Sequence, residues 1–480
     1  MDTGGSVPRV SLEIKPSAPR AHVGNHVDAS RPLVPVALGT ALVLVTYVTP
    51  IATIPATAAD LGAGPVARAW ILSSMSVGLA GLLLASGVIG DALGRRRAYV
   101  VGLVGTAVGA VLCAVAAEPL LFVAGRIVQG GGGAAVLACG LAALAHRYPL
   151  GPERLRATSV WGASVGLGIA GGAVLAALLD FGSGWRPSYW VTAVAAILLV
   201  PVTRRWVAES AAAVKQRVDL PGLILLVAGM TLAVSALTQG RNGIDAPTVV
   251  LGVLAMLALA GFGIVERRVA APLLDPALLA HPRFRAATAG SLVLGAGMIG
   301  MASFTPAMVQ LGYGEGLWAA SLPAVAWAGT GVVTSLLVRR IPHPLEGPRP
   351  VALFLLVVAA GQLLTWGLSA DSSLWRLVLP FVVAGAGTGV LNALLGREAI
   401  ASVPPDRAAM GSGANNTARY LGAACGITLF LTVATHAGDD LFAGWNVAAL
   451  VTVALTLIGA AAIALTSRRT AVTPTGDSER

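Results

Sequence analysis

The sequence predicts an all-α polytopic membrane protein of 14 transmembrane helices arranged as 6 + 2 + 6. Three observations predict it. Of 480 residues, 56% are hydrophobic and only 11% charged, at a mean hydropathy of +0.80, whereas a soluble domain carries about 25% charged residues. The apolar residues fall in runs of about 20, the length that crosses the hydrocarbon as a helix, without the alternation of barrel strands. Adding 254 to a residue number also lays the first six runs on the last six. The same composition excludes a soluble fold and charge-rich disorder. With three Cys and six His placed singly, it also excludes a disulfide or zinc scaffold.

In chain order, residues 1–31 form a polar cytoplasmic tail without the apolar core of a cleavable signal, so the first span is expected to serve as the signal. An N-terminal half, 32–205, holds spans at 33–55, 70–90, 98–117, 119–145, 157–179 and 185–203. An inserted pair, 219–266, holds 220–239 and 246–265. The stretch 267–285 reads as an amphipathic cytoplasmic linker lying on the membrane surface. A C-terminal half, 286–466, holds spans at 286–311, 317–338, 350–370, 376–396, 413–435 and 444–466, followed by a tail, 467–480. Local sequence repeats at the same spacing: Pro152-Glu153-Arg154 returns as Pro405-Asp406-Arg407, and Gly168 and Gly172 return as Gly422 and Gly426. Two like-oriented six-helix halves are the plan of a transporter whose site lies between them near the bilayer midplane.

The net charge of +10 is a topology label. Of 32 Lys and Arg, 27 fall in the tails and even-numbered loops when Arg419 is counted with the loop before span thirteen. Arg68, Arg186, Arg241 and Arg376 fall on the other side, which leaves Arg126 inside a span. By the positive-inside rule both termini are cytoplasmic, and the basic excess calls for no nucleic-acid partner. Trp70, Trp185, Trp375 and Trp445 stand at predicted outer ends, where an aromatic belt is expected.

Two motifs carry chemistry. After span two the chain reads Gly87-Val88-Ile89-Gly90-Asp91-Ala92-Leu93-Gly94-Arg95-Arg96-Arg97. The glycines permit a tight turn, and Asp91 with Arg95 and Arg96 can form charge-assisted bonds that lock helix ends and break on rocking. In span four, Arg126 lies in apolar surroundings, where a charge costs on the order of 3 kcal/mol and marks a function. Gln129, three residues on, shares its face. Thr46, Thr49, Asn392, Asn415 and Asn416 are the polar span residues best placed for substrate or coupling. The three Cys lie in spans as reduced packing residues, and no metal or cofactor set is present in the sequence.

GDALGRRR at 90–97 and GRIVQGGGGAA at 125–135 resemble the loop and span-four signatures of the major facilitator superfamily. ERRVAAPLLDPALLAHPRF from Glu266 and SVPPDRAAMGSGANNTARYLGAACG from Ser402 resemble its fourteen-span drug:proton antiporter branch. The resemblance covers about 32–466 and implies a multi-pass monomer of the cytoplasmic membrane that exports drugs or secondary metabolites by alternating access, driven by the proton gradient. It also implies that Arg126 points into the central cavity and takes part in coupling.

Two departures from the branch stand out. Its members usually carry an Asp in span one, and aligned on the following Pro that position is Thr46; no Asp or Glu lies near the middle of any span. In span five the G-x-x-x-G-P-x-x-G-G pattern keeps Gly168 and Gly172 but puts Ala173 at the Pro and Ala176-Ala177 at the glycine pair. An antiporter needs an embedded carboxylate whose pKa shifts as the cavity opens, so an uncoupled or differently coupled transporter is the alternative. With one buried Arg and no acid to pair a cation, the expected substrate is a neutral or anionic amphipathic small molecule. A membrane-embedded transferase would need a His, Asp or Glu cluster at one face, which the sequence lacks. A non-transporting regulator is the remaining class, and the retained Arg126, Gln129 and Asp91 weigh against it.

Overall fold

The computed structural model describes residues 31–148, 151–179, 184–212, 219–269, 272–273, 278, 280–341, 345–437 and 440–469. Residues 1–30 and 470–480 of the expected tails, and 270–271, 274–277 and 279 of the expected amphipathic linker, lie outside them. The described elements are helical, with no strand among them.

The first half comprises α1 (Leu33–Asp60), α2 (Pro65–Leu93), α3 (Arg95–Ala114), α4 (Pro119–Arg147), α5 (Pro152–Leu179) and α6 (Arg186–Trp206). Then come α7 (Leu220–Gln239) and α8 (Ala246–Glu266). The last part comprises α9 (Pro282–Gly312), α10 (Leu317–Leu337), α11 (Pro348–Leu363), α12 (Trp375–Ala401), α13 (Ala408–His436) and α14 (Leu441–Arg469). Many begin with Pro in the first turn, where the missing N–H costs nothing. The N-termini of α7 and α8 are capped by Asp219 and Asp245, whose side chains accept from Gly222 N at 3.1 Å and Thr248 N at 2.9 Å.

Among the described residues, 13 helices are long and apolar enough to cross a membrane, against the 14 expected. The difference is α11, a helix of 16 residues and about 24 Å at 1.5 Å per residue, where a span at 350–370 is expected. It ends in a turn in which Gly367 takes φ 80°. The span expected at 286–311 is also irregular. In α9 the α-helical turns are interrupted by π segments at Gly295–Ile299 and Met308–Gly312.

Small residues set the packing, since in lipid close backbone approach replaces hydrophobic driving force. The repeat read from the sequence has a physical counterpart here. A Cβ on Gly168 or Gly172 of α5 would meet Ala41 O of α1 at 2.4 Å or Val45 O at 2.9 Å. A Cβ on Gly422 or Gly426 of α13 would meet Leu292 O of α9 at 2.1 Å or Ala296 O at 2.0 Å. Side chains at Ala173 and Ala177 lie outside the described set. One core gathers α1 to α7 with the first half of α13, and a second gathers α9 to α14. The two meet where α2 packs on α13, and where α5 packs on α10 and α12. The pair α7–α8 leans on α2, and of α8 only Ala255 and Glu266 are buried.

Three placements differ from the sequence reading. Arg419, placed near the start of span thirteen and counted with the loop before it, lies deeper: α13 starts at Ala408, so Arg419 is three turns inside the helix at 5% exposure. Trp185 and Trp445 pack inside the protein instead of forming a belt. Trp185 stacks edge-on against Phe122 and Tyr189 and donates to Asp60, while Trp445 contacts Phe430 and donates to Thr365 O at 3.3 Å. Trp375 is 61% exposed, as a belt residue would be. Cys113 and Cys139 are buried, whereas Cys425 is exposed, and none is paired.

Candidate functional site

The loop motif forms a latch between the halves. Gly94 takes φ 120°, a conformation that favours glycine, and turns α2 directly into α3. A Cβ there would also lie 2.9 Å from the Glu209 carboxylate, which accepts from Arg96 N at 3.0 Å. Arg95 turns one edge of its guanidinium to Asp91, with Nε at 2.8 Å and Nη2 at 2.7 Å from Oδ1. The Asp91 oxygens also accept from Ala409 N at 3.2 Å and Met410 N at 2.8 Å. These are the free N–H groups of the first turn of α13, where the helix dipole favours an anion. Arg95 Nη2 reaches Pro405 O at 2.9 Å. Gly87 lets the backbones touch, since a Cβ there would be 2.3 Å from Ala409 O. Asp91 of one half thus caps a helix of the other.

Two adjoining cavities lie between the halves, toward the other end of α2. The inner one is walled by α1, α5, α9, α10, α12 and α13 and is mostly apolar. Its polar wall holds Tyr47, Trp327, Thr388, Asn392, Arg419 and Tyr420. The outer one includes Arg68, Ser73, Arg241 and Gln310. Tyr47 borders both, its ring edge-on to Tyr420 at 5.5 Å. Ser73 and Asp91 are 18 residues apart, so the outer cavity and the latch stand about 27 Å apart along α2. Neither cavity is lined by an Asp or Glu.

Arg126 is fully buried on α4 and lines neither cavity, contrary to its expected place. Its Nη1 donates to Thr46 O at 2.6 Å and to Gln129 Oε1 at 2.9 Å, and its Nη2 to Tyr47 O at 3.5 Å. The cause is in α1. Pro50 has no N–H, so the carbonyl four residues earlier, Thr46 O, loses its helical donor, and Arg126 supplies one. The Thr46 and Thr49 hydroxyls bond back to Val43 O and Val45 O, both at 2.7 Å, within their own helix. Asn415 accepts from Ser291 at 2.7 Å and ties α13 to α9, while Asn416 donates to Ser412 O at 3.0 Å. Of the polar span residues singled out in the sequence, Asn392 alone lines a described cavity, and its Oδ1 accepts from Arg419 Nη1 at 2.8 Å.

Arg419, Tyr47, Trp327 and Tyr420 are therefore cavity residues that sequence reasoning did not select. The repeat held the signal for Arg419: subtracting 254 gives Val165, which lines the same cavity from α5. Arg241, expected in an outer loop, reaches inward instead. It donates from Nε to Thr428 Oγ1 on α13 at 3.1 Å and from Nη1 to Ser73 Oγ on α2.

A family model described as Major Facilitator Superfamily matches residues 36–427. Similar proteins include the "Probable actinorhodin transporter" of Streptomyces coelicolor, 33% identical over 79% of this chain and 68% of that protein. The "Puromycin resistance protein pur8" of Streptomyces alboniger is 32% identical over 80% of this chain and 77% of its own. The "Cephamycin export protein CmcT" of Amycolatopsis lactamdurans is 30% identical over 82% and 83%. The crystal structure of the human organic anion transporter MFSD10 (TETRAN) has the same fold, with a TM-score of 0.65 at 17% identity over 91% of this chain and 99% of that one.

Proposed function

Because the chain belongs to the Major Facilitator Superfamily, within its drug-efflux branch, we propose that it is a secondary-active exporter of amphipathic small molecules, drugs or secondary metabolites. It acts as a monomer in the cytoplasmic membrane with both termini inside. The observation that carries this reading is a mostly apolar cavity between two helix bundles whose opposite end is latched by Asp91 across the halves. Rocking of the halves would break the Asp91 contacts at one end and close the cavity at the other. The helices then form 14 spans as 6 + 2 + 6, with the short α11 crossing alongside α12 and α14, which flank it. Relatives named for cephamycin export, puromycin resistance and actinorhodin transport support an antibiotic-like cargo, and the absence of a cavity carboxylate supports a neutral or anionic one.

The proton gradient is the driving force expected of the branch. A second reading, coupling by another route, is favoured by the lack of any Asp or Glu among the cavity-lining residues. Transport into everted membrane vesicles tests export itself: accumulation of a candidate compound above that of vesicles lacking the protein is expected, and none across an antibiotic panel would overturn it. Substrate addition to lightly buffered proteoliposomes separates the two readings, because only a proton-coupled carrier shifts the lumenal pH.

A further inference from the structure

The structure assigns a carboxylate-binding site to Arg419 in the inner cavity, and we propose that the cargo is an amphiphile bearing one such acidic group. This rests on the exporter reading above and narrows its substrate class. Arg419 is 5% exposed on α13 and lines the cavity. Its Nη1 is held by Asn392 at 2.8 Å, which fixes the plane of the guanidinium. Its Nε and Nη2, both buried, have no hydrogen-bond partner among the described residues.

Nε and Nη2 form one edge of the guanidinium, the edge that takes the two oxygens of a carboxylate in a bidentate pair. The protein itself uses that edge on a carboxylate elsewhere, although on one oxygen: in the latch, Arg95 places the same two nitrogens at 2.8 and 2.7 Å from Asp91 Oδ1. The equivalent nitrogens of Arg419 meet no protein acid, and none lines the inner cavity. A buried cation without a counter-charge is costly, and a ligand that brings the charge recovers that cost on binding. The rest of the wall suits the remainder of such a molecule, with aliphatic side chains from α1 and α9 and the faces of Trp327 and Tyr420. The geometry therefore selects an apolar, ring-sized body with a single carboxylate and disfavours an amine of the same shape.

The test uses the purified full chain in detergent and three probes of one shape: 4-(1-pyrenyl)butyrate, its methyl ester, and 4-(1-pyrenyl)butylamine. Energy transfer from tryptophan to pyrene reads binding. Charge-assisted bonds exceed neutral ones by about 1 kcal/mol or more, so the carboxylate is expected to bind at least about tenfold more tightly than the ester, and the amine more weakly than both. Arg419→Gln should bring carboxylate affinity down to that of the ester while leaving the ester unchanged, which also shows that the variant is folded. Arg419→Lys, which keeps the charge but loses the fork, should recover part of the preference. Equal affinity of wild-type protein for carboxylate and ester, or a carboxylate preference that survives Arg419→Gln, would overturn the assignment. Vesicle uptake of the same probes keeps the two readings apart. Binding preference without uptake defeats the exporter reading and leaves the site standing; uptake of ester and acid alike does the reverse.

Discussion

Arg126 and Arg419 are buried well inside their helices, one in each half, and their surroundings differ. Arg126 spends both Nη groups on its own half, on two carbonyls of α1 and the amide of Gln129, and leaves only Nε without a partner among the described residues. Arg419, which lines a cavity, has one partner, Asn392, and leaves Nε and Nη2 without any among the described residues. The difference teaches that an intramembrane charge need not itself be the working charge. Arg126 repairs a helix that Pro50 has opened, a structural role that positions Tyr47 at the cavity wall, whereas Arg419 is left with valence to offer.

The comparison breaks most readily at Arg126. Its three bonds, at about 0.6 kcal/mol each in a membrane protein, put the cost of Arg126→Ala at about 2 kcal/mol, read as a lowered midpoint of thermal unfolding together with lost transport. Adding Pro50→Ala should return part of the stability, because the new N–H can serve Thr46 O. An Arg126→Ala protein as stable as wild type would make the two arginines alike after all. Next in size, Arg419→Gln should leave unfolding unchanged or raise its midpoint, since it removes a buried charge with little to pair it. A large destabilisation there would assign Arg419 to the scaffold.

A third test asks what the free edge implies for energetics. An exported anion moves with an inside-negative potential worth about 2.3 kcal/mol per charge per 100 mV. Uptake of the pyrenyl carboxylate into proteoliposomes should therefore follow a potassium-diffusion potential without any pH gradient, and uptake of the ester should not. The smallest effect belongs to Thr46→Ala. That hydroxyl serves only Val43 O of its own helix, so transport within about twofold of wild type is expected, whereas Arg126 needs only the backbone carbonyl there.

Much of the fold was legible in the sequence because apolar runs of span length admit few alternatives, and the latch motif was legible because Asp91, Gly94 and Arg95 act within one turn of chain. Arg126 could be recognised as buried, but its partner could not, since the need for it arises from a proline 76 positions earlier. Arg419 was obscured by its neighbours. The opening turns of α13 read Ala-Ala-Met-Gly-Ser-Gly-Ala-Asn-Asn-Thr, small polar residues that hydropathy takes for a loop. They are small because this helix presses on α2: a Cβ on Gly413 would meet Leu83 O at 2.5 Å. The α11 boundary was missed for a related reason, since apolar side chains continue past the point where the backbone leaves the helix.

Arg241 gives the inserted pair a mechanical connection. The 21 residues of α8 span about 31 Å and, being little covered by protein, must match the thickness of the surrounding lipid by tilting. The short segment that joins α8 to α7 carries the side chain tied at once to Ser73 of α2 and Thr428 of α13. Parting of those two helices at this end breaks one of the two bonds. The lipid composition of the membrane thereby becomes a load on the outer cavity, and Arg241→Gly should flatten the dependence of transport rate on acyl-chain length.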